Sequence, residues 1–193
     1  MNNDVKIKYI NKINTFSGIY YLMGMIAFCA APTIENIKPS TVLTINSRNH
    51  LLEYWLENGQ FICDYFDLDY ITLRGGKYSH TILFYKGTIL TDHVRKEENR
   101  NYLINEGYDN TLTDQLERLK EKYKMKFPHE MGVYLGIPVT DVDGFIENCG
   151  KNYLYNGYWK VYDNLISAVE TFYKFDESRV NLMDKIENTL ILP

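Results

Sequence analysis

Cys29, His80 and His129 are the residues of this 193-residue chain whose types can do covalent chemistry. A thiolate becomes a good nucleophile when an imidazole takes its proton or a positive field holds its charge. Cys29 with His129 or His80 as base would make a thiol enzyme acting on acyl or peptide-like substrates. A helix starting near Pro32 would offer its positive end to the sulfur, whereas the end of the helix that carries Cys29 opposes a thiolate. Ala and Phe neighbours favour a competing reading of Cys29 as a small buried hydrophobe. His80 stands where a strand would start, and beside Ser79 it also reads as a merely exposed side chain.

Metal and phosphate chemistries find little support. His129-Glu130 invites a zinc-hydrolase reading, but that motif needs a second His one helical turn on. Position 133 is Val, and the four histidines at 50, 80, 93 and 129 have no ligand spacing. Pro128-His129-Glu130 reads equally well as a helix start, with Pro in the first turn and Glu at the positive end. Asp64, Asp67 and Asp69 lack the offsets and glycine of a calcium loop, and read as a solvated strand edge. Gly75-Gly76 and Gly132/Gly136 match no nucleotide-binding glycine pattern. No metal and no cofactor are expected.

The segment from Phe127 to Tyr162, FPHEMGVYLGIPVTDVDGFIENCGKNYLYNGYWKVY, concentrates the unusual residues. Its glycines, Pro138 and Thr140 serve as helix stops, a turn and a cap. His129, Glu130, Asn152, Tyr158 and Trp159 remain as candidate contacts for a ligand or partner, because aromatic side chains dominate binding hot spots. Alternation offers a plainer account, with Trp159 and Val161 on the core and Tyr158 and Tyr162 outside.

Composition narrows the class. Hydrophobic residues at 45% and charged residues at 24% are ordinary for a globular protein. The length suits one domain with a sizeable core. Tyrosine dominates the aromatics, 17 against nine Phe and two Trp, and its polar tip suits half-buried surfaces. A net charge of −4 with interleaved signs argues against a nucleic-acid binder. The three cysteines are widely spaced, and with no secretory signal they fit a reducing cytoplasm. Ile19–Ala31 is apolar but shorter than the roughly 20 residues of a membrane span, so it reads as a core helix and no membrane is expected.

These residues need elements to position them. Met1–Asn14 reads as a polar lead-in. A helix is predicted from about Asn14 to Ala30, stopped by Pro32, then a short one over Thr33–Ile37. Thr41–Ile45 reads as a strand and Asn49–Glu57 as a helix ended by Asn58-Gly59. Phe61–Leu73 and Tyr78–Tyr85 read as a hairpin turning at Arg74–Lys77, with a short strand at Thr88–Leu90. Helices are predicted over Asp92–Glu106, Thr111–Met125, Pro128–Leu135 and Asp141–Asn148. A short strand, Tyr158–Tyr162, leads to a helix from Asn164 to Phe175, capped by Asp163, and another over Asp176–Leu190. The pattern is α+β: one domain, 1–193, of helices packed around a small, mainly antiparallel sheet.

Three stretches carry a resemblance: Ala31-Pro32-Thr33 through Ile37-Lys38-Pro39, FPHEMGVYLGIPVTDVDGFIEN at 127–148, and Gly157–Tyr162. In that order, with Thr81–Tyr85 and Glu106-Gly107-Tyr108 between, the chain resembles the clostridial family of unknown function called DUF3793. The resemblance implies a small cytoplasmic protein of anaerobic Firmicutes and implies no reaction. Family members read Cys-Ala-Pro-Thr where this chain has Ala30-Ala31-Pro32-Thr33, so Ala30 occupies the family cysteine position. They also carry cysteines where this chain has Tyr153–Asn156. Use of the block here is therefore not expected to depend on thiols. The sequence as a whole points to a cytoplasmic accessory protein that binds a small molecule or protein partner at the 127–162 surface, with the Cys29 enzyme as the alternative.

Overall fold

The computed structural model describes residues 3–108 and 111–189, and within them the side chains of 6–186. The fold is α+β. A three-stranded antiparallel sheet, β1 (Ser40–Asn46), β2 (Asp69–Gly75) and β3 (Ser79–Tyr85), is ordered β1-β3-β2. The central strand is buried on both faces, which explains its unbroken apolar run Ile82-Leu83-Phe84. Side chains alternate across a strand. Ile82 and Phe84 therefore enter one core and Leu83 enters the other.

The first core is closed by α1 (Asn3–Ile13), α2 (Gly18–Ile34), α3 (Leu51–Phe66) and α9 (Leu165–Thr189). The stretch read as a polar lead-in is helix α1, because Tyr9 and Ile13 share one helical face and are buried. The Tyr9 hydroxyl also donates to Asp184 Oδ1 on α9 at 2.6 Å. Pro32 does not stop α2 as expected; it lies inside the last turns. It lacks an N–H, but its carbonyl accepts from Ile37 and Lys38 at 2.8 and 2.9 Å. The helix ends instead at Ile34, with Glu35 as its cap, and the following Asn36 is left-handed, φ 62°.

Asn58-Gly59 does not end α3 either. Leu52, Trp55, Gly59, Ile62 and Phe66 continue one buried face through it, and the Trp55 indole lies against Gly59. The helix stops at Asp67, φ 52°. Phe61–Phe66 is thus helix, and the hairpin begins only at Asp69.

The second core lies under α4 (Gly87–Val94), α5 (Glu97–Asn105), α6 (Leu112–Met125), α7 (Met131–Tyr134) and α8 (Val139–Glu147). The predicted strand Thr88–Leu90 is the first turn of α4, whose Gly87 N–H donates to Asp69 Oδ2 at 2.9 Å. Asp69 therefore works as a helix cap, while Asp67 pairs with Lys86 at 3.0 Å. The predicted helix from Asp92 divides at Arg95-Lys96 into the end of α4 and α5. Helix α6 forms as read, with Thr111 as its cap accepting from the Asp114 N–H. The two helices expected after Asp163 are one continuous α9, capped by Asn164 rather than Asp163.

No described helix is long and apolar enough to cross a membrane.

Candidate functional site

Two short helices and a hairpin build the site. Pro128, His129 and Glu130 form turns that lead into α7, with their carbonyls accepting from Met131, Gly132 and Val133. Every residue of α7 is buried, so it fixes its flanks rigidly. The left-handed Gly136 (φ 78°) turns the chain towards α8, and Pro39 packs where a side chain at 136 would point. Helix α8 starts at Val139 after Pro138, so Thr140 is not its cap. After α8 come β4 (Tyr155–Asn156) and β5 (Lys160–Val161), a tight antiparallel pair.

Asp141 fastens this pair to α8. It is 3% exposed. Its Oδ1 accepts from the backbone N–H groups of Tyr162 and Asp163 at 2.6 and 3.1 Å, and its Oδ2 from Trp159 Nε1 at 2.7 Å. A buried carboxylate is tolerated here because donors surround it. On its other side the Trp159 ring meets Phe172 of α9 edge-on, 4.4 Å between centroids. Gly157 lets the hairpin lie directly on the Phe172 ring, which leaves no room for a Cβ.

Between α7, α8 and the hairpin lies a cavity of about 530 Å³. Phe127, Leu135, Ile137, Val142, Phe145 and Trp159 supply an apolar wall, and His129, Asp141, Asn156 and Lys160 the polar points. Lys160 Nζ donates to the Gly150 carbonyl at 2.6 Å and lies over the Tyr153 and Phe145 rings. The exposed His129 ring is 5.9 Å from Phe145 and makes no hydrogen bond among the described residues.

The predicted site residues thus separate. His129, Tyr158 and Trp159 come together around this cavity. Glu130 turns away and is 6% exposed, accepting from Tyr108 Oη at 3.1 Å and from the Lys122 ammonium. Burial opposes its charge, but Lys122 and a backbone N–H prevail, and its pKa lies below the usual carboxylate value. Burial and the Glu130 charge push the Tyr108 phenol far up. Glu130 also borders a neighbouring cavity of about 470 Å³ that His129 shares. Asn152 is exposed in a left-handed turn, with its amide 3.4 Å from Asn148 Oδ1, and does not line the cavity. The expected alternation holds for Val161, which is buried, and for Tyr158, which is exposed; Trp159 is half-buried, and Tyr162, expected outside, is half-buried against Gly144 with its hydroxyl enclosed.

Cys29 is half-buried on α2, where burial raises its thiol pKa and the fields of Arg179 and Lys6 oppose that rise. Among the described residues it makes no hydrogen bond to an imidazole. His80 stands on β3 opposite Ile45 and Gly75. Cys63 is buried, with its thiol pushed up to about 12 by burial and then by Asp64 and Asp69, and Cys149 is exposed.

Sequence reading missed Asp141, Phe172 and Arg179. Asp141 looked like an ordinary acidic first-turn residue, and the other two lie outside the 127–162 block. Comparison with known proteins adds one match: a family described as "Protein of unknown function (DUF3793)" aligns with residues 26–192. No curated protein and no solved structure matches the chain.

Proposed function

The chain belongs to the DUF3793 family, and from that premise and the cavity beneath Trp159 we propose that it is a binding protein for a small molecule with a flat apolar body. The observation that carries this reading is the cavity itself. At about 530 Å³ it falls within the range of small-molecule sites, roughly 300–1,000 Å³, and it pairs apolar walls with a few polar points. The indole of Trp159 is anchored by Asp141 and Phe172, so it offers a rigid wall at little ordering cost. His129 brings ring nitrogens without a partner among the described residues to the same cavity. A neutral imidazole gives one donor and one acceptor, enough to orient a ligand.

The test uses the neutral environment-sensitive dye Nile red, displaced by a panel of small metabolites. His129→Ala together with Trp159→Ala is expected to weaken dye and competitor binding at least about tenfold. Trp159→Phe, which keeps a ring, should retain most of it. Unchanged binding in the double variant, with its fold intact by circular dichroism, overturns the reading. Competition by a protein partner but by no small molecule overturns the ligand class.

A further inference from the structure

A second cavity, about 380 Å³, shares Gly157 and Tyr158 with the first but none of its other walls. Phe28 and Phe172 supply rings, and Lys6, Asp176 and Arg179 supply charge. Arg179 is the unusual member. Its side chain is 11% exposed. Its guanidinium carbon lies 4.9 Å from the Tyr158 ring centroid and 5.9 Å from that of Phe28. Only Nη1 is used: it donates to Tyr158 Oη at 2.6 Å and to the Phe175 carbonyl at 3.1 Å, with Asp176 Oδ1 at 3.8 Å. Nε and Nη2 have no acceptor among the described residues. These two nitrogens are not among the enclosed polar atoms, so they are open to the cleft, where an acceptor can reach them.

The surroundings add positive charge. Lys6 lines the same cavity. Lys38, from the turn after α2, places Nζ 5.9 Å from the Phe175 centroid and has no acceptor among the described residues. Burial and then the field of Arg179 lower its pKa to about 8. Arg179 and Lys6 line the cavity with Asp176, Lys38 stands within the field of Arg179, and burial raises the Cys29 thiol pKa, which keeps it protonated.

We propose that this cleft binds an oxyanion, the carboxylate or phosphate group of a small soluble molecule, with Arg179 as its principal donor. The planar guanidinium matches two oxygens of such a group through adjacent N–H donors. The flanking Phe28 and Tyr158 rings limit its rotation, so the fork is already oriented. This site is independent of the Trp159 cavity: it would stand if that cavity bound nothing.

Titration calorimetry of the full chain with inorganic phosphate and with benzoate, at constant ionic strength in chloride, tests the assignment. Saturable one-to-one binding of either probe is expected, and the preferred probe identifies the group. Arg179→Gln should weaken it at least about tenfold, as the loss of a charge-assisted pair requires. Arg179→Lys, which keeps the charge but loses the fork, should fall between and controls for folding. Lys38→Met should weaken binding by about threefold or more, by removal of a nearby charge. Absence of saturation by both probes overturns the proposal, as does wild-type affinity in both Arg179 variants.

Discussion

The two cavities that meet at Tyr158 are built on opposite principles. Beneath Trp159 the polar groups of the scaffold are largely satisfied from within: both Asp141 oxygens accept, and Lys160 donates to Gly150. What remains open there is carbon surface and one imidazole. Around Arg179 the scaffold leaves donors over, and the rings only hold them in place. A ligand of the first cavity gains chiefly by burying apolar area, whereas a ligand of the second gains by supplying missing acceptors. The contrast separates a charge matched within the fold from one whose donors stay open. Glu130 illustrates the first kind: it is buried, charged and already matched by Lys122 and Tyr108.

If the two regions are separate devices, cutting the Asp141 anchor should damage only one. Asp141→Ala leaves the Trp159 indole and two backbone N–H groups without their acceptor. It is expected to cost about 3 kcal/mol, the range for stranding several buried donors. Urea unfolding measures that loss. Dye binding at the Trp159 cavity should fall sharply, while phosphate binding at Arg179 stays within about threefold of wild type. Parallel loss of both would mean that the hairpin couples them into one site.

Lys38 sharpens the contrast through pH. Its folded pKa, about 8, lies below the ordinary 10.5. Between those values the unfolded chain holds the proton that the folded chain has released, so stability rises with pH through this window. Below pH 8 both states are protonated and the penalty is complete. The gain between pH 8 and 9.5 should be about 1.6 kcal/mol, read as the difference between wild type and Lys38→Met in oxyanion-free buffer. Cys29 acts in the opposite sense, since a raised thiol pKa loses stability as pH rises, but it is common to both proteins and cancels. Added phosphate should flatten the wild-type curve if the anion neutralises the cluster. An identical pH slope in both proteins would remove Lys38 from it.

Much of the scaffold was legible before the structure, and the reasons are local. Strand β1, the hairpin β2–β3 and helix α6 each carry their own periodicity, turn or cap within a few residues. Pro32 and Gly59 misled because a buried apolar face outweighs a local breaker signal, as the continuation from Trp55 to Ile62 and Phe66 shows. The candidate site was legible only on one side. His129, Tyr158 and Trp159 stand in one conspicuous block, but Phe172, which backs Trp159, and Asp176 and Arg179, which line the second cavity, come from α9. Helical spacing predicts which residues of α9 share a face, not which ring they will meet across the fold. Lys38 and Phe28 reach the same cluster from far earlier in the chain, and no local pattern announces that meeting.

Tyr158 is the one side chain common to both cavities, so removing its hydroxyl isolates what they share. The oxygen donates to Asp176 Oδ1 and accepts from Arg179 Nη1, while the ring walls both cavities. Tyr158→Phe keeps the ring and deletes the bridge. The expected cost is about 1 kcal/mol, typical for hydrogen bonds at a partly exposed site. Affinity of the Trp159 cavity for the apolar dye should stay within about twofold, because that surface is carbon. Phosphate affinity should change more, since Arg179 loses the contact that helps fix its fork and turns further towards Asp176. A larger change at the Trp159 cavity than at Arg179 would reverse the assignment of the two regions and place the hydroxyl, rather than the ring, in the apolar site.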